Sequence, residues 1–187
     1  MREPLRLKGL PASAGFAAGP LWRPPALAHA HYRRKDTIAE EIAALDASIE
    51  KAIAQTRALV AAAQGEAADI LEFQQAMLED DNFRGIAVAA IETGAAADAA
   101  WLAALDVEVE GYANSDDEYF RARASDLADI RDRVMAVLTC AAAPQIPHGT
   151  IYFAEDIAPS LFLSHDWQGG GLALKHGGST GHVSILA

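Results

Sequence analysis

In the middle of the chain, apolar positions recur every three or four residues. Ile38, Ile42, Leu45, Ile49 and Ile53 fall on one helical face, which predicts a helix from Asp36 to about Ala63 with Asp36 or Thr37 as its cap. Gly65 breaks the pattern. Ile70, Leu71, Phe73, Met77 and Leu78 predict a second helix over 67–79; "EDDN" interrupts or kinks it, and the helical pattern continues from Phe83 to Ile91, with Gly94 as the stop. Trp101, Leu105, Val109 and Tyr112 share the stripe of a further helix. "NSDDE" then offers caps and acids to the N-terminus of a last helix, over about 116–139, expected to bury Phe120, Leu127, Ile130, Val134 and Leu138. Short connections between such helices imply antiparallel neighbours, hence a bundle.

The flanks are patterned differently and are rich in Pro and Gly. "LRLKGL" and "GFAAGPLW" read as a hairpin-like pair around "PASAG"; "TIYFAED" and "GGLALK" read as strands. Pro159 is placed for the first turn of a short helix, "HGGST" is a turn, and "GHVSILA" opens a helix. N-terminal strands need a sheet to join, and the other strands all lie after residue 148. The expected architecture is a small α/β domain made from both ends of the chain, with the helical bundle inserted between them.

Composition narrows the class. The 187 residues are 51% apolar, enough for a real core, yet the uncharged stretch over 134–154 contains Pro144, Pro147, Gln145 and His148 and would not cross a bilayer. Arg2, Glu3, Arg6 and Lys8 open the chain without an apolar run behind them, so no signal peptide is read. Cys140 is the single cysteine, which excludes an intrachain disulfide and fits a cytoplasmic location. Between Lys35 and Cys140 there are 22 acids and 8 bases, a balance of −14, while the rest of the chain is +3 within a total of −11. Nucleic acid and membrane are therefore not expected partners, whereas a basic protein would be attracted to the acidic helices.

Of six histidines, His29 and His31 form an H-x-H pair in a loop, and His148, His165 and His176 stand alone. No clustered metal ligands, Walker loop or Ser/His/Asp set is present. His182 has a more telling setting, after a strand and a glycine turn and at the start of a helix. Free N–H groups and the helix dipole favour an anion there and keep an imidazole neutral, and a neutral imidazole nitrogen is a nucleophile. Gly177, Gly178 and Gly181 leave room for a bulky phosphate donor, and Ser179 and Thr180 can cap the helix or bond the phosphate. On local chemistry alone, an incidental histidine in a glycine turn remains the commoner case.

Longer motifs then change the picture. "GGSTGHVSILA" resembles the phosphohistidine signature of phosphoenolpyruvate-utilising enzymes, G-G-x-T-S-H-x-[AS]-I-[ML]-A. "LKGLPASAGFAAGPLW", "MLEDDNF", "GAAADAAW", "SDDEYFRARASDLADIRDRVMAVL" and "IYFAEDIAPS" are similar, in the same order, to segments of the N-terminal region of the Enzyme I family, the phosphoenolpyruvate–protein phosphotransferases of bacterial sugar uptake. The resemblance implies an α/β phosphohistidine (swivelling) domain over 1–30 and 144–187, incomplete at its C-terminus. A helical insert over 31–143 would bind the carrier protein HPr. It implies phosphoryl transfer from phosphoenolpyruvate to HPr through His182, assisted by Thr180, with Gly178, Ser179 and Gly181 against the phosphate. Glu72, Met77, Leu78, Glu79 and Asp80 are the expected carrier-contact surface, with bundle core as the competing reading for Met77 and Leu78.

No cofactor is expected in the chain itself; Mg²⁺ belongs with the barrel domain that binds phosphoenolpyruvate in the full-length family. The chain is therefore read as an N-terminal piece, with an incomplete sheet and a weakly anchored His182 helix, unable to use phosphoenolpyruvate alone.

Four positions depart from the family pattern. Ser179 stands where Arg is usual, Gly181 where Ser is usual, and Gln74 where His is usual; Phe162 aligns with a Thr that commonly bonds the resting histidine. Two other readings stay open. One is a non-catalytic docking module that binds a phosphocarrier through the acidic helices. The other is the phosphohistidine domain of pyruvate phosphate dikinase or phosphoenolpyruvate synthase, against which the acidic helices argue. The Enzyme I-like tail of the multidomain phosphocarrier subunit serving dihydroxyacetone kinase is a divergent form of the phosphotransfer reading.

Overall fold

The structure is a computed structural model that describes residues 6–24, 31–142, 144–176 and 182–186. In chain order the elements are β1 (Leu21–Trp22), α1 (Ile38–Ala62), α2 (Glu66–Glu79), α3 (Asp81–Glu92), α4 (Ala97–Ala113), α5 (Glu118–Leu138), β2 (Ile151–Ala154), α6 (Pro159–Ser164), β3 (Gly171–Leu174) and α7 (His182–Leu186).

Each long helix starts and stops where its sequence allows. Thr37 caps α1 in a capping box with Glu40: the Glu40 N–H donates to Thr37 Oγ1 at 3.2 Å and the Thr37 N–H to Glu40 Oε2 at 3.1 Å. Gly65, at φ 58°, turns the chain into α2. The expected interruption at "EDDN" is a full break, because Asp80 is extended and its carboxylate accepts from the Asn82 N–H at 2.8 Å, capping α3. Gly94, at φ 104°, carries the chain out of α3, and Asp117 caps α5 by accepting from the Tyr119 N–H at 2.8 Å.

The five helices bury one apolar cluster centred on Leu45, Ile91, Trp101, Leu105, Leu127 and Ile130. Trp101 is 1% exposed, and its indole N–H donates to the Arg131 carbonyl at 3.1 Å, so burial leaves no polar group unpaired there. Two residues expected in the core lie outside it. Ile38, in the first turn of α1, is 49% exposed, and Phe120 is 41% exposed and packs edge-on against Tyr112 and Tyr119 near the start of α5.

The sheet has three parallel strands in the order β1-β2-β3. The N-terminal segment does join strands from beyond residue 148, as expected, with Leu21 opposite Ile151 and Trp22 opposite Tyr152. The expected N-terminal hairpin does not form. Residues 6–20 contain no strand, and two residues are all that reach the β2 edge. Proline and glycine interrupt the rest. Gly19 is required by closeness: a Cβ there would lie 2.0 Å from the Gly149 carbonyl oxygen. Ile146, Tyr152 and Ile157 form the small core of this region, with Trp22, Trp167 and Val183 packed on it.

Glu41 ties the segment entering α1 to the bundle. This 3%-exposed carboxylate accepts from the Lys35 N–H (2.7 Å), the Ala97 N–H (2.8 Å) and the Tyr32 hydroxyl (2.8 Å). Burial alone would raise its pKa. The two backbone donors, the Tyr32 hydroxyl and the nearby Arg34 charge outweigh that and hold it below the usual glutamate range.

Candidate functional site

His182 is the first residue of α7, and its Nδ1 lies 3.1 Å from Asp126 Oδ1 and 3.0 Å from Asp126 Oδ2. Asp126 is fully buried on α5. It flanks the apolar stripe of Leu127, Ile130 and Val134, and Asp129 sits one helical turn further on the same edge. That edge faces α2, α6 and α7, and each of these elements meets it with polar groups. From α2, Gln74 Nε2 lies 3.4 Å from Asp126 Oδ1 and 3.2 Å from Asp129 Oδ2. From α6, Ser160 donates its backbone N–H (2.9 Å) and its hydroxyl (2.7 Å) to Asp129. Pro159 begins α6, so Asp129 satisfies an N–H that the first turn of a helix leaves free.

Two arginines of α5 border the network. The Arg123 guanidinium is 3.4 Å from Asp126 Oδ2 and lies over the rings of Phe73 (4.3 Å) and Tyr119 (5.3 Å). Arg133 approaches Asp129 to 4.0 Å. Burial pushes the Asp129 carboxyl up, against the pull of Arg133, Ser160 and Gln74. Gln74 Oε1, Arg123 Nε and Arg133 Nε are buried without hydrogen-bond partners among the described residues.

The site is not sealed. A cleft of about 1430 Å³ runs between residues 9–17, α5, β3 and α7, and His182, Ser125 and Arg121 line it together. The His182 side chain is 12% exposed. Phe162 also lines the cleft, stacked on Trp167 at 5.5 Å, and brings no hydroxyl to it.

Of the residues singled out from sequence, Gly178, Ser179, Thr180 and Gly181 lie outside the described residues. Glu72 is exposed on α2, and Met77 is half-buried against the bundle core. Glu79 is exposed and paired with Arg57 at 2.6 Å; Asp80 is exposed and spends an oxygen on the α3 cap. Leu78 is corrected: it is 4% exposed and belongs to the bundle core, because it falls on the α2 face turned toward the other helices. α2 nevertheless packs beside α7, so the acidic helix and the histidine are neighbours. His148 and His165 are stacked on each other at 5.7 Å, and His176 pairs with Glu155 at 3.1 Å.

Sequence reasoning missed Asp126, Asp129 and Ser160. Their signal was the placement of two acids beside an apolar stripe rather than opposite it, hidden among 22 acids in the same region.

No three His, Cys, Asp or Glu side chains converge on a metal-sized site among the described residues. Asp126 and Asp129 turn their oxygens to His182, Gln74 and Ser160. Among the described residues no helix is long and apolar enough to cross a membrane.

The family model for the N-terminal part of phosphoenolpyruvate-utilising enzymes matches residues 8–123. The chain belongs to that family. The match covers α1 to α4 and the start of α5, and stops before His182. No curated protein matches the chain.

Among solved structures, the chain is similar to the N-terminal domain of Enzyme 1 (nitrogen). They share 24% identity over 97% of this chain and 79% of that one, with a TM-score of 0.66. It is likewise similar to a solution structure of Enzyme I (nEIt), with 24% identity over 97% and 78% and a TM-score of 0.67. The family model thus bears out the phosphoenolpyruvate-utilising family, and the solved structures bear out the fold of the Enzyme I N-terminal region that the motifs implied. This phosphoenolpyruvate-utilising family member is helix-rich with a small parallel sheet, as those structures lead one to expect.

Proposed function

We propose that the chain is a phosphotransfer domain in which His182 carries a phosphoryl group between a phosphoenolpyruvate-binding domain and an HPr-type carrier protein. In this reading, residues 1–30 and 144–187 form the phosphohistidine α/β domain, and residues 31–143 form the carrier-binding bundle. The observation that carries it is the position of His182, which opens α7, borders a cleft and lies beside acidic α2 in a chain of this family. Exposed Glu72, Glu79 and Asp80, with half-buried Met77, are the proposed docking residues. Their charge would speed the encounter with a basic carrier. Thr180, Ser179, Gly178 and Gly181 are proposed to meet the phosphate.

The test is to incubate the chain with a phosphorylated HPr-type carrier and follow transfer of an acid-labile, base-stable label. Label on the wild type that His182→Ala abolishes, with carrier binding retained, is the expected result. Carrier binding without label would establish a docking module instead, and neither binding nor label would remove the reading altogether.

A further inference from the structure

A phosphoryl group on His182 calls for a cation beside it, and the histidine's own segment supplies none: residues 177–187 contain no Lys or Arg. The buried Asp126 carboxylate against the ring adds a negative charge of its own. The cation has to come from elsewhere along the cleft. On the basis of the carrier role above, we propose that Arg121 of α5 is the phosphate-binding residue of this cleft, its guanidinium pairing with the phosphoryl group while His182 carries it.

Placement favours Arg121. With Ser125 and Ala128 it recurs every three or four residues on α5, and the three line the cleft as one strip. His182 lines the same cleft from α7 and is anchored to α5 through Asp126. Arg121 precedes Asp126 by about 7.5 Å along the helix axis, a span that a long, exposed arginine side chain covers. Its Nη1 donates to the Ser115 carbonyl at 2.7 Å. Exchanging that neutral acceptor for a phosphate oxygen gains a charge-assisted bond.

The other cations near the histidine are engaged by acids. Lys175 and His176 also line the cleft, and both pair with Glu155. Arg123 is held against Asp126, beneath Phe73 and Tyr119. Glu118 and Asp156 are the acids that line the cleft. Burial raises the Asp156 carboxyl toward its neutral form.

The transfer itself is a displacement. A bond from an imidazole nitrogen to phosphorus forms as the donor's bond to phosphorus breaks, and that electron pair leaves with the donor. Arg121 forms no covalent bond and gives up no proton. It stays charged throughout, and its planar fork of N–H donors matches the phosphoryl oxygens.

The test compares wild type, Arg121→Lys and Arg121→Gln in the full chain. Inorganic phosphate is first titrated into the unlabelled chain, with the guanidinium ¹H–¹⁵N signal of Arg121 followed in the wild type. That signal should shift, and Arg121→Gln should bind phosphate about tenfold more weakly. Labelling from a phosphorylated HPr-type carrier should slow by roughly 10- to 100-fold in Arg121→Gln, with helical circular dichroism and binding of the unphosphorylated carrier unchanged. Arg121→Lys keeps the charge without the fork and should fall between the two. Equal phosphate affinity in wild type and Arg121→Gln would overturn the assignment whatever the labelling rate. Loss of unphosphorylated-carrier binding in Arg121→Gln would also overturn it, making Arg121 a docking residue. Wild type that binds phosphate through Arg121 yet takes no label from the carrier would count against the carrier role and leave the assignment of Arg121 standing.

Discussion

The helical bundle and the three-stranded sheet are held together by different means. The bundle buries 16 apolar residues in one cluster, Trp101 among them, and closes its helix ends with Thr37, Asp80 and Asp117. Among the described residues the sheet region buries three, Ile146, Tyr152 and Ile157, beneath half-buried tryptophans. Burial at about 25 cal/mol per Å² makes the first self-sufficient and the second dependent on its neighbours. That dependence runs through polar contacts. Asp129 receives Ser160 at the start of α6, and Asp126 receives His182 at the start of α7. The residue proposed to do chemistry thus sits where the less stable part is fastened to the more stable one.

The largest expected effect falls on the bundle. Trp101→Ala removes its central ring and the bond to the Arg131 carbonyl, and should cost about 3–5 kcal/mol, seen in denaturant unfolding followed by helical circular dichroism. A loss below about 1 kcal/mol would mean that the bundle is not organised around this residue.

Gly19→Val should act on the sheet instead. A Cβ at 2.0 Å from the Gly149 oxygen forces β1 away from β2, at about 1–3 kcal/mol. Amide exchange should speed up at Ile151–Ala154 while the helices keep their protection. Equal loss in both regions would erase the distinction between them.

Glu41→Gln should cost a similar or smaller amount, about 1–3 kcal/mol at neutral pH, with a pH signature. The folded-state pKa of Glu41 is depressed, so its stabilisation is present above the ordinary glutamate value of about 4.3 and is lost as pH falls through the folded value. The wild type should lose stability on that acid limb, and the variant should show a flatter one. Parallel acid limbs would contradict the clamp.

Glu72→Lys is the mildest change, on an exposed position of α2. Stability should move by less than about 0.5 kcal/mol. Association with a basic HPr-type carrier should slow, and the difference should shrink at high salt. An unchanged association rate would move the docking surface elsewhere.

The same contrast explains what could be read from sequence. Helix periodicity and caps are local, so α1 to α5 were legible nearly to their ends, including the break at Asp80 and the pairing of the N-terminal segment with later strands. The hairpin around "PASAG" was not, because whether Leu7 or Phe16 pairs depends on which edge β2 offers, a distant fact. His182 was legible through its turn-and-helix setting. Asp126 was not, because its meaning comes from α7, 56 residues away in the chain. Phe120 and Leu78 misled in opposite directions, since their exposure is set by where neighbouring helices cross.

The central claim is that His182 carries the phosphoryl group, and peptide mapping by mass spectrometry under alkaline conditions tests it most directly. After incubation with a phosphorylated HPr-type carrier, the account predicts a single added phosphate, on the peptide holding His182. Phosphate on another histidine, such as His148 or His176, with His182 unmodified would contradict it.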